Sequence, residues 1–440
     1  MDIGVKIHNL AKQLWGINRS ITGDGVRKTL SILHGHVKDL VVFEVASGTQ
    51  VFDWVVPKEW SIVSGYILTP SGRKICDFNE NNLHVVGYST PVDDSISLEE
   101  LNKHLYSLPD QTDAIPYVTS YYAERWGFCL SHKQRMLLEE GTYKVKIDSC
   151  LFDGHLTYGE LIIKGDTDKE VLISTYICHP SIANNELSGP VVVTYLAKWL
   201  QSLQSTKYTY RIIFIPETIG SITYLSKNIK QMQEKIIAGF NVSCVGDNRS
   251  YSYLPSRNGK TLSDKVAKHI LKWTDPNYVT YSWSERGSDE RQYCAPGIDL
   301  PIASIMRTKY GKYPEYHTSL DDLKNVVTPD GLEGGYEAIR LAIEAIEKIC
   351  YPRVTVLGEP QLGKRGLYPT ISTKKSTYET MLLMELITWS DGSHSLLEIA
   401  EKCNAPIWEL YPLIKKLQTH NLLVLEENPA TKIEYYDRQY

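Results

Sequence analysis

Residues 171–189 read VLISTYICHPSIANNELSG, a continuous apolar run that ends in a short polar loop. A run this apolar predicts a strand buried on both faces, as in parallel sheets covered by helices. His179 then lies at the carboxyl end of the strand, where open α/β sheets bind ligands and metal ions. Because the carboxylate of Glu186 lies in the same loop, the stretch predicts one part of a metal site.

Three later segments bring further polar side chains towards the same edge of the sheet. Two apolar strands lead to Glu217 and Asp247, and His317 precedes a helix. A hydrolytic zinc ion takes nitrogen and oxygen ligands and needs a nearby carboxylate that accepts a proton. Glu217 is the candidate catalytic base. The candidate zinc ligands are His179, Glu186, Asp247 and His317.

The composition is that of an ordinary soluble globular protein. The chain has 440 residues, of which 42% are hydrophobic and 22% are charged, so about two or three domains are expected. Its formal net charge of -5 disfavours nucleic acid as the main partner. No segment has the length and apolar character of a membrane span or a signal peptide. The eight cysteines are scattered without a CxxC pair, which predicts free thiols and a cytoplasmic location.

Strands and helices alternate through most of the chain, which predicts an α/β fold with a doubly wound, mainly parallel sheet. Residues 52–148 depart from this pattern. Their short alternating segments, broken by Pro and Gly turns, predict a β-rich inserted domain. The catalytic domain is then discontinuous and comprises residues 1–51 and 149–352. A third domain is predicted for residues 353–440.

Three helical segments and a hairpin predict a winged helix for this third domain. The predicted helices are 378–390, 395–403 and 405–419, and the predicted hairpin joins 422–425 to 433–436. From residue 354 onward the sequence has nine Lys or Arg against eleven Asp or Glu. A surface that neutralises phosphates is therefore missing, which disfavours DNA binding. The expected contact of the winged helix is a protein partner or a second copy of the chain.

Six short stretches of the sequence together resemble a known family. They are residues 19–23, 178–189, 216–218, 244–247, 287–293 and 315–318. The chain resembles the zinc-dependent aminopeptidase clan, and more closely an aminopeptidase-like branch with an inserted β-rich domain and a C-terminal winged helix. The stretches follow the order of the family and span nearly the whole chain. This resemblance implies a doubly wound α/β catalytic domain and a zinc-dependent hydrolase.

The chain departs from the pattern of the clan at three positions. Asn185 stands where the clan has an aspartate that bridges two metal ions, Thr218 replaces a metal-binding glutamate, and Ser243 replaces an aspartate. A neutral amide bridges two cations poorly because it adds no negative charge. The departures therefore favour a single zinc ion, with two ions as the alternative. The expected ligands are His179, His317, and either Glu186 or Asp247.

Four side chains are candidates for substrate binding. The resemblance places Arg291 and Asp289 on the wall of the active site, where they would hold a carboxylate or an amine of the substrate; a solvated loop is the alternative. Arg307 precedes His317 and is a weaker candidate for the same role. Tyr122 lies in the inserted domain, so it would shape substrate choice if that domain folds over the pocket.

These observations predict a zinc metallo-hydrolase. The expected enzyme is an aminopeptidase or related exopeptidase that cleaves a peptide or a small aminoacyl amide, with zinc-activated water as nucleophile and Glu217 as general base. One alternative is a zinc-dependent deacylase that acts on a sugar or cell-surface precursor. Another alternative is a metal-free binding or regulatory protein, which Asn185 and Thr218 favour.

Overall fold

The computed structural model describes residues 2–368 and 374–429 of the chain. Contacts between residues divide the chain into two compact units. The first contains the residues up to 264 together with 277–339, so it includes both the predicted catalytic sheet and the whole of the predicted insertion. The second contains 265–276 and the residues from 340 onward. Within the described ranges, no helix combines the length and the apolar character that crossing a membrane requires.

An eight-stranded mixed sheet forms the centre of the first unit. In spatial order its strands are Val41–Ala46, His155–Ile163, Thr209–Ile215, Glu170–Tyr176, Ile236–Asn241, Ile302–Met306, Ser252–Leu254 and Val279–Thr280. Glu170–Tyr176 is parallel to both of its neighbours and is buried throughout, as its apolar sequence predicts. Antiparallel pairs lie on both sides of this parallel centre. The predicted α/β class is confirmed.

Helices precede the first strand of this sheet and alternate with several of the later ones along the chain. The longer ones are Ile3–Leu14, Asp24–His34, Ser188–Ser202, Ile219–Lys235, Leu262–Thr274 and Pro329–Glu347. A π-helical turn, Ala183–Leu187, leads directly into the third of them. A Cβ atom on Gly189 would lie 2.5 Å from the carbonyl oxygen of Val242. Because Gly189 has no side chain, the first turn of this helix can pack against the backbone of Val242, which directly follows the strand Ile236–Asn241.

A smaller antiparallel sheet accounts for the β-rich texture of the inserted segment. In spatial order its strands are Lys74–Ile75, Glu59–Leu68, Thr142–Phe152 and Val92–Ser97. Two short pairs accompany it, Gln50–Val51 with Trp54–Val55 and Leu105–Tyr106 with Phe128–Cys129. The short helices here are Leu98–Asn102 and His132–Arg135. We call residues 50–152, which contain these strands and helices, the inserted module.

The inserted module reaches the loop that carries His317. The backbone N–H of Tyr117 donates to the carbonyl oxygen of His317 at 2.8 Å, and that of Ser319 donates to the carbonyl oxygen of Ile115 at 2.9 Å. Between these bonds, Pro116 and Thr318 form an isolated antiparallel bridge. The module therefore contributes directly to the edge of the main sheet where the candidate site lies.

The second unit contains the winged helix. Its helices are Lys374–Trp389, Leu396–Lys402 and Ile407–Thr419, close to the predicted ones. The middle helix begins with a capping box, because Ser395 and Glu398 satisfy each other's backbone N–H groups. The strand Leu423–Glu426 pairs antiparallel with Tyr351–Val354. Its predicted hairpin partner, residues 433–436, lies outside the described residues.

Candidate metal centre and active site

His179 is fixed by contacts on the Nδ1 side of its ring. Nδ1 lies 2.8 Å from Oε2 of Glu186, and both side chains are almost completely buried. Oε1 of Glu186 lies 3.3 Å from Nε of Arg19; the two atoms are close enough for an ion pair but are not aligned as a hydrogen bond. Arg19 also donates to the carbonyl oxygens of Leu14 and Pro180. Glu186 is therefore held between a buried arginine and the histidine.

This arrangement leaves Nε2 of His179 as the free ring nitrogen. A carboxylate on the far nitrogen is the usual way in which proteins orient a metal-binding imidazole. Burial disfavours the imidazolium form, but the hydrogen bond and charge of Glu186 outweigh it and raise the pKa of His179. Nε2 faces Oε2 of Glu217 across 3.8 Å. The free nitrogen therefore lies beside the candidate base.

The second histidine lies close to the first and makes contact with Asn185. Nε2 of His317 is 3.1 Å from Oδ1 of Asn185, and the ring centroids of the two histidines are 5.7 Å apart. Nδ2 of Asn185 donates to the hydroxyl group of Tyr176 at 2.8 Å, so the amide presents its oxygen to His317. Burial and the charge of His179 lower the pKa of His317 to about 3. The ring is therefore neutral at physiological pH, as ligation requires.

The turn Ala183–Leu187 decides which side chains face the site. Asp321 accepts hydrogen bonds from the backbone N–H groups of Asn184 and Asn185, at 2.7 and 3.1 Å, and fixes the turn from behind. Single turns of π-helix occur frequently at functional sites because they redirect side chains. Here Asn185 is directed to His317, whereas Glu186 is directed to Arg19 and Nδ1 of His179.

Glu217 follows the strand Thr209–Ile215 and has two distinct carboxylate oxygens. Oε1 accepts a hydrogen bond from Oγ of Ser288 at 2.7 Å, whereas Oε2 faces His179. The side chain is 23% exposed, so it remains accessible from the pocket. Burial raises the pKa of Glu217 above its usual value. The charges of His179 and Arg291 and the hydrogen bond from Ser288 lower it but do not outweigh burial. A carboxylate whose pKa is raised is suited to accepting a proton near neutral pH.

The residue after Glu217 adopts a strained conformation. Thr218 has φ 63° and ψ -77°, and the N–H of Ile219 donates to the carbonyl oxygen of Glu217 at 2.8 Å. This is a rare γ-turn, and such strain persists only where surrounding contacts impose it. Asp289 supplies that contact, because its Oδ1 accepts from the N–H of Thr218 at 2.7 Å and from Oγ of Ser221 at 2.8 Å.

Tyrosines enclose the two histidines. The ring of Tyr117, from the inserted module, lies 5.2 Å from both imidazoles, and its hydroxyl group is 3.1 Å from that of Tyr121. Tyr316 stacks on His317 with a centroid distance of 3.8 Å and an interplanar angle of 16°. The sequence predictions missed these tyrosines. Tyr316 lies in the stretch 315–318 that carries the family resemblance, whereas for Tyr117 the signal was only the general excess of 29 tyrosines over 7 phenylalanines.

The structure brings five of the predicted residues into one neighbourhood. They are His179, Glu186, Glu217, His317 and Arg291. Arg291 is exposed, and its Nη2 donates to Oγ1 of Thr218 at 2.6 Å. Asp289 is also adjacent, but it is fully buried beneath the turn at Thr218. Direct contact between Asp289 and a substrate would require this turn to open.

Three other predicted residues make contacts outside this group. Both carboxylate oxygens of Asp247 accept hydrogen bonds. Oδ1 accepts from Oγ1 of Thr308 and from the N–H of Arg249. Oδ2 accepts from the N–H of Thr308 and from Nδ2 of Asn184. The guanidinium group of Arg307 is buried and lies 3.9 Å from the ring centroid of Tyr251. Tyr122 is 54% exposed and makes an edge contact with the ring of Trp54.

One group of potential metal ligands in the described part of the chain consists of Cys178, His179 and Glu186. Their ligand atoms lie within 4.8 Å of one another. Burial raises the pKa of the Cys178 thiol well above its usual range, and its sulfur accepts a hydrogen bond from the N–H of Glu217 at 3.2 Å. A protonated thiol is a poor ligand. The residues fit zinc better on the other side of His179, where Nε2, the neutral imidazole of His317 and the oxygen of Asn185 are grouped.

Comparison with solved structures places this fold in a known class. A zinc aminopeptidase from Bacillus subtilis matches with a TM-score of 0.57 and 12% identity over 78% of this chain and 94% of that chain. A peptidase M28 precursor from Shewanella amazonensis matches with a TM-score of 0.55 and 13% identity over 78% and 92%. The protein therefore has the α/β fold of the zinc aminopeptidases, followed by a C-terminal winged helix. At these identities the likeness shows the fold alone.

The chain belongs to the family described as domain of unknown function (DUF4910), which matches residues 8–349; a winged helix-turn-helix model matches residues 350–425. A Clostridium acetobutylicum protein named for polysaccharide biosynthesis and an aminopeptidase-like domain is 44% identical over 91% of this chain and 92% of its own length. A crystal structure from the same species, named as that of a peptidase, matches with a TM-score of 0.90 and 42% identity over 96% of both chains.

Proposed function

We propose that the protein is a zinc-dependent hydrolase of a peptide-like amide and that it binds one zinc ion at Nε2 of His179. The observation that carries the proposal is the position of His179, which Glu186 holds through Nδ1 while Nε2 faces Glu217. The fold shared with zinc aminopeptidases is consistent with this reading. We infer a zinc ion rather than a softer metal because the available donors are imidazole nitrogen and amide oxygen.

Three side chains would hold the ion. His179 and His317 supply imidazole nitrogens, and Asn185 supplies the amide oxygen that already lies 3.1 Å from His317. We assign Glu186 the orienting role behind His179, because its carboxylate is occupied by that ring and by Arg19. For Asp247 we propose a structural role, since four hydrogen bonds occupy its oxygens.

When bound, zinc would lower the pKa of a water molecule and polarise the amide carbonyl group. Glu217 would accept the proton from the attacking water through Oε2 and pass it to the leaving nitrogen. Ser288 supports this role, because its hydrogen bond to Oε1 fixes the carboxylate and leaves Oε2 towards His179. The rings of Tyr117 and Tyr316 would restrict the access of bulk water to the histidines.

The substrate class has two candidates. A peptide or small aminoacyl amide is supported by the fold of the zinc aminopeptidases. A deacylation of a sugar or cell-surface precursor is supported by the Clostridium acetobutylicum relative that is named for polysaccharide biosynthesis. For the winged helix we propose a protein contact or self-association, because acidic residues outnumber basic ones from residue 354 onward.

Elemental analysis combined with a substrate screen tests the proposal. The wild-type protein, purified and dialysed with zinc, should retain about one zinc per chain. A His317→Ala variant should lose it, whereas Asp247→Asn should keep it. The screen compares dipeptides, aminoacyl amides and N-acyl amino sugars. Zinc-dependent turnover of one class would support the proposal, and a protein that takes up no zinc would contradict it.

A further inference from the structure

Arg291 is an exposed cation at the candidate site. Its Nη2 donates to the hydroxyl group of Thr218, the residue next to Glu217, and its charge favours the ionised form of the Glu217 carboxylate. The charge of Arg291 also acts to lower the pKa of Tyr316, whose ring stacks on His317. Among the ion pairs within the described residues, none includes Arg291. A guanidinium group with only a hydroxyl partner retains most of its capacity to bind an anion.

The other carboxylates around the site are, in contrast, inaccessible; even Oδ2 of Asp289, which has no hydrogen-bond partner, is fully buried. Five of them are almost completely buried, namely Glu186, Asp247, Asp289, Glu290 and Asp321. Glu290 is typical of this group, because its Oε1 accepts from the N–H groups of Gly287 and Ser288 and from the hydroxyl group of Tyr310. Glu217 is partly exposed, but its proposed role as base requires that it stay free of a salt bridge. The site therefore offers an accessible positive charge, and its partly exposed carboxylate, Glu217, is assigned to proton transfer.

We infer that the substrate of the proposed hydrolase carries a carboxylate close to the scissile amide and that Arg291 binds this carboxylate. This inference rests on the proposed function. The planar guanidinium group matches a carboxylate through two parallel N–H···O bonds, which fixes orientation as well as charge. A substrate with a free ammonium group in the same place would meet a like charge. The expected substrates are N-acyl or peptide amides with an anionic end, in preference to peptides recognised by their amino terminus.

A nearby acidic cavity provides the competing explanation. A cavity of about 350 Å³ beside the loop of His317 is lined in part by Asp110, Asp113 and Glu315. Two of these carboxylates are already paired, Asp113 with Lys133 and Glu315 with Arg249. If this cavity recognised a substrate amine, an ammonium-bearing ligand would bind better than an anionic one. The two explanations therefore predict opposite orders of affinity.

Calorimetric titration with three small probes separates them. N-acetyl-L-alanine carries a carboxylate, N-acetyl-L-alaninamide is neutral, and L-alaninamide carries an ammonium group. Each is titrated into the full-length protein with zinc and after removal of zinc by a chelator. The variants are Arg291→Gln, Arg291→Lys and the matched control Arg286→Gln, which removes an exposed arginine whose guanidinium group lies 5.0 Å from the ring centroid of Trp283.

We expect the wild-type protein to bind the carboxylate probe about tenfold or more tightly than the neutral one, with and without zinc. Arg291→Gln should remove this preference, Arg291→Lys should keep part of it, and Arg286→Gln should leave it unchanged. Tighter binding of L-alaninamide would overturn the inference in favour of the acidic cavity. A carboxylate preference that survives Arg291→Gln would also overturn it. Because binding does not require turnover, a failure of the proposed hydrolase would appear separately, as bound probes with no substrate hydrolysed.

Discussion

Nδ1 of His179 and Oε2 of Glu186 lie 2.8 Å apart in a part of the molecule from which solvent is nearly absent. The contact connects a buried arginine to the candidate metal site, because Arg19 pairs with the other oxygen of the same carboxylate. Glu186 thereby determines both the orientation of the ring and the nitrogen that remains free.

Replacing Glu186 with glutamine should weaken zinc binding without abolishing it. We expect the dissociation constant for zinc to rise by about 10- to 100-fold, as is typical when the group that orients a metal-binding histidine is lost. Competition with a fluorescent chelator measures the change. The matched variant Asp247→Asn should leave the constant nearly unchanged. A greater loss of zinc in Asp247→Asn than in Glu186→Gln would reverse the proposed roles.

The Glu217→Gln variant separates metal binding from catalysis. Glutamine has the same shape but cannot accept the proton, so turnover should fall by roughly 10²–10⁴-fold while zinc stoichiometry stays the same. Steady-state kinetics on a substrate found in the screen, with elemental analysis of the same sample, provide both readouts. Ser288→Ala should have a smaller effect, since it removes only the hydrogen bond to Oε1. Turnover near the wild-type rate in Glu217→Gln would exclude it as the base.

Substitution of Asn185 tests whether a neutral amide limits the affinity for zinc. Asn185→Asp places a negative charge 3.1 Å from Nε2 of His317, at the position of the present amide oxygen. We expect zinc to bind at least about tenfold more tightly, which corresponds to ~1.4 kcal/mol and is modest for a charge at this range. Asn185→Ala should bind more weakly than wild type. Equal affinities for all three proteins would remove Asn185 from the ligand set.

In the winged helix, the ionised carboxylate of Asp391 should make a pH-dependent contribution to the stability of the fold. Partial burial opposes its ionisation, but hydrogen bonds from His394 and Ser393 outweigh this effect and lower the pKa of Asp391 to about 2, from 3.8. A lowered folded-state pKa stabilises the fold above the unfolded value. The contribution is therefore complete above about pH 4 and is lost as the pH falls through about 2.

The variant Asp391→Asn measures this contribution. It should lower the free energy of unfolding by about 1 kcal/mol or less at neutral pH, since the group is partly exposed. In scanning calorimetry, the difference in Tm between variant and wild type should be constant from pH 7 to about pH 5 and should shrink below about pH 4. A difference that grows on acidification would have the wrong sign for a lowered pKa.

Some of the site could be predicted from the sequence because it depends on strand ends. His179 and Glu217 each follow an apolar strand, and these two strands are parallel neighbours in the sheet. Residues that follow parallel strands lie at the same edge of the sheet, where the carboxyl ends of the strands meet. The choice between Asn185 and Glu186 could not be predicted, because it depends on one extra residue in the turn Ala183–Leu187. A π-helical turn of this kind has no reliable sequence signature, and a shift of one residue exchanges the side chains that face the histidines.

The contribution of the inserted module was beyond sequence reasoning for a different reason. Tyr117 lies in a stretch with little regular structure, so no periodicity indicates which of its side chains point to the pocket. Residue type cannot distinguish Tyr122 from Tyr117. In the structure, however, Tyr122 is mostly exposed, whereas Tyr117 packs against both histidines. Only the tertiary contacts with the loop of His317 separate them.

The backbone bonds between Tyr117 and His317, and between Ile115 and Ser319, have a consequence for how this protein can evolve. Residues 115–119 share main-chain hydrogen bonds with the loop that carries His317. They therefore cannot be removed or replaced without a change in that loop. Their deletion would expose unpaired backbone groups in that loop and displace the imidazole with them. Insertions or deletions within residues 115–119 should therefore be rare in relatives, and changes there should covary with changes at 316–319.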